Sequence, residues 1–299
     1  MSAALIGIDW GTSSFRAWRM DRDGAVIDSV AEGPGILAAA ARPGGFEAAL
    51  QEVLGPWLGS APIIASGMVT SRNGWAETPY LPLPLDAAAL AGALHPHRCG
   101  LGVVHLVTGA VSDPDGPAPD VMRGEETEIV GHLADGAGEG LFVLPGTHSK
   151  WARAEAGRLV GFRTAMTGEL FQLLRDGSIL GRPARPGPFS AEGFARGLEA
   201  GRAGGSLAGR LFSARVLPLL DRMAGNQVAD YLSGLLIGDE IAQGLAGHAG
   251  GAPVIIGRGD LAERYRLAFA AFGQEAQVAA PGMARRGLWE IARRAGIIA

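Results

Sequence analysis

Residues 6–20 read IGIDWGTSSFRAWRM and residues 141–154 read LFVLPGTHSKWARA. In each, an apolar run ends at a Gly-Thr-x-Ser turn and a second strand-like run begins at once. Aligning Gly11 with Gly146 offsets the copies by 135 residues, about half of the 299-residue chain. Internal self-similarity of this kind betrays architecture. The first copy continues through a hairpin signal at Asp23-Gly24 into a strand from 25 to 30. The second continues through Glu155-Ala156-Gly157 into a strand from 159 to 164. The pattern predicts an α/β protein of two similar domains, residues 1–135 and 136–299, each with three hairpin-connected strands leading a mixed sheet.

Elements outside the repeat follow from periodicity. Phe46, Leu50, Val53, Leu54 and Trp57 predict a helix over 45–58. Strands are expected at 62–65 and 103–107, with a Pro- and Gly-rich excursion between them. In the second half, helices are expected over 226–245, 260–272 and 283–294, with strands at 253–256 and near Val278.

Composition bounds the function. Hydrophobic residues make up 47% and charged residues 19%, so a sizeable core is available. A net charge of −4 without like-charge blocks gives no footprint for nucleic acid or an anionic membrane. The single Cys99 excludes an internal disulfide and suits a reducing cytoplasm. No apolar run approaches the roughly 20 residues that span a bilayer, and no secretory leader is expected. Lys150 is the only lysine, which excludes a Walker A loop and a protein-kinase catalytic set. The apolar C-terminal helices serve equally well as core or as an interface between copies.

The paired loops can hold phosphate. Gly11, Thr12 and Ser13, with Gly146, Thr147 and His148, offer backbone N–H groups and side-chain donors on either side of one nucleotide cleft. Only the first copy carries a carboxylate: Asp9 corresponds to Leu144. Alone, Asp9 reads as a turn cap; within the repeat it reads as the residue facing Mg²⁺ through water. APVIIGRGDLAERYRLAF (252–269) runs a buried strand into Gly257 and Gly259, where bare backbone can accept an adenosine. The alternatives at these residues are an ordinary strand–helix turn capped by Asp260, or a dinucleotide fold. The latter fails because the pattern is GxGxxE, without a full βαβ unit. A Ser–His hydrolase reading of His148-Ser149 fails for want of a G-x-S-x-G elbow.

Taken together, IDWGTSS, LPGTHSKW and VIIGRG resemble the sugar kinase, heat-shock chaperone and actin superfamily, with its ribonuclease-H-like, actin-like ATPase domains of βββαβαβ type. SGMVTSRNGW, DVMRGEETEIVG, LPGTHSKW and YLSGLLIGDE more closely resemble the 2-keto-3-deoxygalactonokinase family over the whole chain. The resemblance implies ATP-dependent phosphorylation of the 6-hydroxyl of 2-dehydro-3-deoxy-D-galactonate by a cytoplasmic enzyme. Related kinases carry the catalytic carboxylate shortly before the second phosphate loop. Here Glu125 and Glu126 stand there, with Glu125 as the expected base and Glu126 or Asp9 as alternatives. Relatives usually carry Asp, one methylene shorter, and acids in a first helical turn also favour the helix dipole. A keto acid calls for an arginine and small polar groups. Ser66, Gly67, Ser71, Arg72, Asn73 and Trp75 are expected to line that pocket, with Arg123 as a second anion partner. A surface loop turned by Asn73-Gly74 is the plainer alternative. An ATPase switch on the same fold, or a kinase for another keto-deoxy sugar acid, are the competing functions.

Overall fold

The structure, a computed structural model, describes residues 2–134, 136, 138–246, 248 and 250–298. The chain divides into two compact units: Met1–Glu139 with Ala152–Arg163 and Ala280–Ala299, and Gly140–Trp151 with Thr164–Ala279. In chain order the first stretch supplies β1 (Leu5–Trp10), β2 (Phe15–Met20), β3 (Val26–Val30), α1 (Ile36–Ala41), α2 (Gly45–Leu54), β4 (Ile63–Ser66), β5 (Tyr80–Pro82), α3 (Ala87–Gly92), β6 (His95–Cys99), β7 (Gly102–Leu106), β8 (Gly109–Ser112), β9 (Asp120–Met122) and α4 (Glu125–Leu133). Then follow β10 (Gly140–Leu144), β11 (Ser149–Glu155), β12 (Arg158–Ala165), α5 (Thr167–Gly177), α6 (Ala191–Arg202), α7 (Leu207–Leu211), α8 (Ser213–Leu219), α9 (Val228–Gly244), β13 (Val254–Ile255), α10 (Gly259–Ala271), β14 (Gln277–Val278) and α11 (Met283–Arg294).

The first sheet has the order β3-β2-β1-β4-β7-β6. Its hairpin strands are antiparallel, and β1, β4 and β7 are parallel. Register sets Asp9 opposite Arg16 on one side and Ser66 on the other. Ile6, Ile8 and Trp10 pack with Leu50, Leu54, Ile63, Ala65 and Leu106 in one core. Gly7 faces the opposite way, where a Cβ would stand 3.3 Å from Leu288 of α11. α11 crosses α4 at bare backbone: a Cβ on Gly287 would lie 1.9 Å from the Thr127 carbonyl oxygen. A small sheet, β5-β8-β9, completes this unit.

The other large sheet has the order β12-β11-β10-β13-β14. This repeats the order β3-β2-β1-β4-β7, so the duplication visible at Gly11 and Gly146 extends to strand topology. In the second unit α9 is buried almost all round, as a helix without a polar face must be. Phe194, Leu198, Ile237 and Ile241 join one core, and Tyr231, Leu232, Leu235 and Leu236 another. α6 and α9 meet through reciprocal glycines. A Cβ on Gly197 would stand 2.1 Å from the Tyr231 carbonyl oxygen, and one on Gly234 would stand 2.2 Å from that of Phe194. Among the described residues no helix is long and apolar enough to cross a membrane.

Several sequence expectations shift. The helix expected to reach residue 58 ends at Leu54, where Pro56 tightens the chain into a 3-10 turn, Gly55–Trp57. The excursion before β7 contains β5, α3 and β6. HPHRC pairs only with β7 at the sheet edge, so it carries no alternating pattern to be read.

Candidate active site

In the first unit the turn after β1 is built to expose hydroxyls. The Gly11 N–H donates to the Ser14 carbonyl (2.9 Å) and the Ile36 N–H to the Gly11 carbonyl (3.0 Å). Gly35 supports the loop so closely that a Cβ there would lie 2.4 Å from Ser13 Cα. Thr12 and Ser13 are left exposed. Asp9, at the foot of this turn, accepts from Arg16 Nη2 at 2.5 Å. Burial pushes the Asp9 carboxyl up, opposed by the Arg16 guanidinium. Arg16 was missed in the sequence, although strand pairing across a tight turn puts it opposite Asp9.

Gly67, with φ +95°, turns the chain sharply after β4; a Cβ there would meet the Trp10 carbonyl oxygen at 2.9 Å and Asp9 Oδ1 at 3.4 Å. Only glycine fits this conformation and this approach. Beyond it lies a short 3-10 turn, Met68–Thr70. Ser66 and Ser71 are buried; the Ser71 hydroxyl donates to the Met68 carbonyl (2.7 Å). Asn73 is exposed, and Arg72 is exposed and pairs with Glu77 at 3.4 Å. Trp75 stacks on Phe46 and meets Trp10 and His97 edge-on, so its ring is largely used in packing. Arg123 is buried. It donates to Thr70 Oγ1 (2.7 Å), Thr78 Oγ1 (2.6 Å) and the Thr78 carbonyl (3.0 Å), and lies 4.2 Å over the Tyr80 ring. It thereby ties the 66–78 loop to the start of α4.

The first turn of α4 carries three acids. Glu125 is half-buried and accepts the Arg123 N–H at 3.0 Å. Glu126 is buried, accepting the Gly124 N–H (2.8 Å) and the Thr127 hydroxyl (3.0 Å). Desolvation, with the Glu125 charge beside it, pushes Glu126 up to about 7. Glu128 was missed in the sequence. Its spacing of three from Glu125 puts both on one helix face, which is the signal that could have found it. Desolvation first, then the Asp9 carboxylate, push Glu128 up to about 8, with Arg16 opposing. Asp9, Gly67 and the start of α4 are thus brought together: a Cβ on Gly124 would stand 3.1 Å from Gly67 Cα.

A pH dependence follows. A carboxyl whose folded pKa exceeds its unfolded value holds its proton more tightly in the fold. For Glu126 the resulting stability is full below about 4.5 and is lost as pH rises through about 7. The difference corresponds to about 3 kcal/mol. In metal-free buffer the unfolding midpoint should therefore fall across this interval, and Glu126→Gln should flatten the fall. A midpoint that rises with pH equally in both proteins contradicts the assignment.

The second unit holds a pocket of about 440 Å³. Gly146, Thr167, Gly168, Arg258, Asp260 and Tyr265 are among its lining residues, so the second Gly-Thr loop and the GRG turn share one cavity. The N-terminus of α5 abuts the loop: Glu169 N–H donates to the Thr147 carbonyl (2.9 Å), and a Cβ on Gly168 would lie 2.3 Å from the Gly146 carbonyl oxygen. His148 Nε2 contacts the Glu169 carboxylate. Gly257 and Gly259 are exposed, and nothing lies within 4 Å of a Cβ built on Gly259, the first residue of α10. Beneath the pocket Glu240 is buried and accepts from Trp151 Nε1 and Tyr265 OH, both at 2.7 Å; burial pushes its carboxyl up. Ser149 and Tyr265 share a hydrogen bond of 3.0 Å. The YLSGLLIGDE segment is thus explained by close helix packing at Gly234 and Gly238 and by Glu240 under the pocket.

Comparison with known proteins agrees. The family model described as 2-keto-3-deoxy-galactonokinase matches residues 9–291. The chain is 35% identical to the 2-dehydro-3-deoxygalactonokinase of Escherichia coli (strain K12), with 91% of each chain covered. It is 38% identical to a Rhizobium meliloti protein carrying the same enzyme name, over 95% of this chain and 97% of that one. A crystal structure carrying that name, from Sinorhizobium meliloti, superposes with a TM-score of 0.89 at 36% identity, covering 97% of this chain and 98% of the other. Component A of the (R)-2-hydroxyglutaryl-CoA dehydratase of Acidaminococcus fermentans superposes with a TM-score of 0.52 at 15% identity, over 97% and 96% of the two chains, a likeness of fold alone. The family is one of kinases, which implies the use of ATP. The chain belongs to the 2-keto-3-deoxy-galactonokinase family, and it is a phosphotransferase of the sugar-kinase kind.

Proposed function

We propose that this cytoplasmic enzyme transfers the γ-phosphoryl group of ATP to the 6-hydroxyl of 2-dehydro-3-deoxy-D-galactonate. The observation that carries the nucleotide half is the shared pocket of the second unit, where Gly146 of the second phosphate loop and Arg258 and Asp260, which flank Gly257 and Gly259 in the strand–helix turn, line one cavity. In this reading residues 136–299 take the adenosine and part of the triphosphate. Residues 1–135 carry the first phosphate loop and bind the sugar acid.

In the first unit Glu125 accepts the proton of the attacking hydroxyl. Its half-buried carboxyl stands at the start of α4, while Glu126 is turned back onto the Gly124 N–H. Backbone N–H groups and hydroxyls at 11–13 and 146–148 hold phosphate oxygens. Asp9 is the residue suited to Mg²⁺. Its half-buried carboxylate already draws a cation, Arg16, and among the described residues no group of three or more His, Cys, Asp or Glu forms a metal cage. One carboxylate completed by water and phosphate is the ligand set Mg²⁺ prefers. When bound, Mg²⁺ neutralises phosphate charge during transfer. Ser66, Gly67, Ser71, Arg72, Asn73, Trp75 and Arg123 make up the sugar-acid side, with Arg123 and Trp75 acting as supports of the loop.

The test is the phosphorylated product: ³¹P NMR should show a phosphomonoester on C6, formed one-for-one with ADP. A phosphate on any other oxygen, or inorganic phosphate alone, contradicts the reading. The nucleotide side has its own test. No protein atom lies within 4 Å of a Cβ built on Gly259, so Gly259→Leu should fold with an unfolding midpoint close to that of the wild type. Its side chain enters the adenosine space, so the KM for ATP should rise about tenfold, the effect of roughly 1.4 kcal/mol. An unchanged KM for ATP places the adenosine elsewhere.

A further inference from the structure

In the first unit three buried polar residues each precede a glycine where strands end: Ser66-Gly67 at β4, Thr108-Gly109 between β7 and β8, and Arg123-Gly124 after β9. Ser66 and Thr108 are each 1% exposed. Ser66 Oγ, Thr108 Oγ1 and Arg123 Nε are buried without a hydrogen-bond partner among the described residues.

The backbone gathers these pairs. Val107 N–H donates to the Ala65 carbonyl at 2.9 Å, so the chains leaving β4 and β7 run side by side. The register of Ala110 opposite Met122 sets Gly109 beside Arg123, and a Cβ on Gly109 would lie 2.5 Å from the Met122 carbonyl oxygen. Gly124 in turn contacts Gly67, beside Asp9. The glycines let three strand ends close together, and each end contributes one unsatisfied polar atom. Buried hydroxyls nearly always find partners, so neighbouring orphans call for an explanation. Ser66 and Thr108 lie at the carboxyl ends of the parallel strands β4 and β7, where open α/β sheets take ligands, and Arg123 joins them from the end of β9 in the small sheet. A hydroxyl both donates and accepts, which matches a polyhydroxy chain; Arg123 Nε–H can only donate, which matches an acceptor oxygen.

We propose that Thr108, together with Ser66, hydrogen-bonds the hydroxyl groups of the sugar acid and sets which keto-deoxy sugar acid is accepted. This rests on the kinase reading above. A site built to hydrogen-bond a substrate hydroxyl discriminates strongly, because the wrong substrate leaves its buried polar groups unpaired.

The experiment compares the wild type with Thr108→Val, Thr108→Ser and Ser66→Ala. KM and kcat are measured for 2-dehydro-3-deoxy-D-galactonate, its C4 epimer and ATP, with thermal melting as a check on folding. Thr108→Val keeps the shape and removes the hydroxyl. It should raise the KM for the sugar acid about tenfold, leave that for ATP unchanged and narrow the preference between epimers. Thr108→Ser should restore wild-type values, and Ser66→Ala should shift the same parameters. A folded Thr108→Val with wild-type KM and epimer ratio overturns the proposal while leaving the kinase reading intact. A wild-type enzyme that phosphorylates no sugar acid overturns both.

Discussion

Glu125→Gln should lower kcat by about 10²–10⁴-fold, the usual worth of a positioned general base, while the KM for ATP stays unchanged. The substitution preserves shape and the ability to accept the Arg123 N–H, so the loss isolates proton transfer. Glu126→Gln provides the contrast. Glu126 is spent on the Gly124 N–H and the Thr127 hydroxyl, so its replacement should alter stability and pH dependence more than kcat. Steady-state kinetics with MgATP and the sugar acid check both. If Glu125→Gln retains wild-type kcat and Glu126→Gln loses it, the base is Glu126, and α4 must reorganise for that carboxyl to reach substrate.

Gly197→Val should destabilise the second unit by about 3 kcal/mol or more, the upper range for forcing atoms into a packed interior. A shift of the unfolding midpoint on the order of 10 °C follows. The cause is steric: the first added carbon would stand 2.1 Å from the Tyr231 carbonyl oxygen, a backbone atom that cannot rotate away. Gly234→Val, on the facing helix, should behave alike. Because the two sites serve one contact, the double variant should lose less than the sum of the two. Calorimetry checks this. A Gly197→Val protein that melts with the wild type contradicts the close approach of α6 and α9.

Much of the fold was legible because the duplication shows in local chemistry. A Gly-Thr-x-Ser turn between two strands needs no long-range information, and its recurrence after 135 residues implies the repeated sheet order. The helix from Met283 to Arg294 was legible from its periodicity. β6, β8 and β9 were not, since strands of three to five residues, two of them at sheet edges and β8 inside a three-stranded sheet, carry too little pattern. The candidate site divides the same way. Asp9 and the loop glycines announce themselves by position in the repeat. Glu128 and Thr108 do not, because their interest lies in what surrounds them: the Asp9 charge in one case, a buried hydroxyl without a partner in the other. Trp75 and Arg123 show the converse. Trp75 reads as ligand-facing in the polar loop and Arg123 as an anion partner beside Glu125, and both are largely taken up by contacts that hold the loop.

The central claim is that nucleotide turnover is coupled to a sugar acid. ADP release from MgATP by the purified protein, with and without 2-dehydro-3-deoxy-D-galactonate, tests it most directly. Little ADP is expected without the sugar acid and strong stimulation with it, greater than with its C4 epimer. ATP hydrolysis at the same rate with or without any sugar acid would contradict the account and leave an ATPase switch in its place.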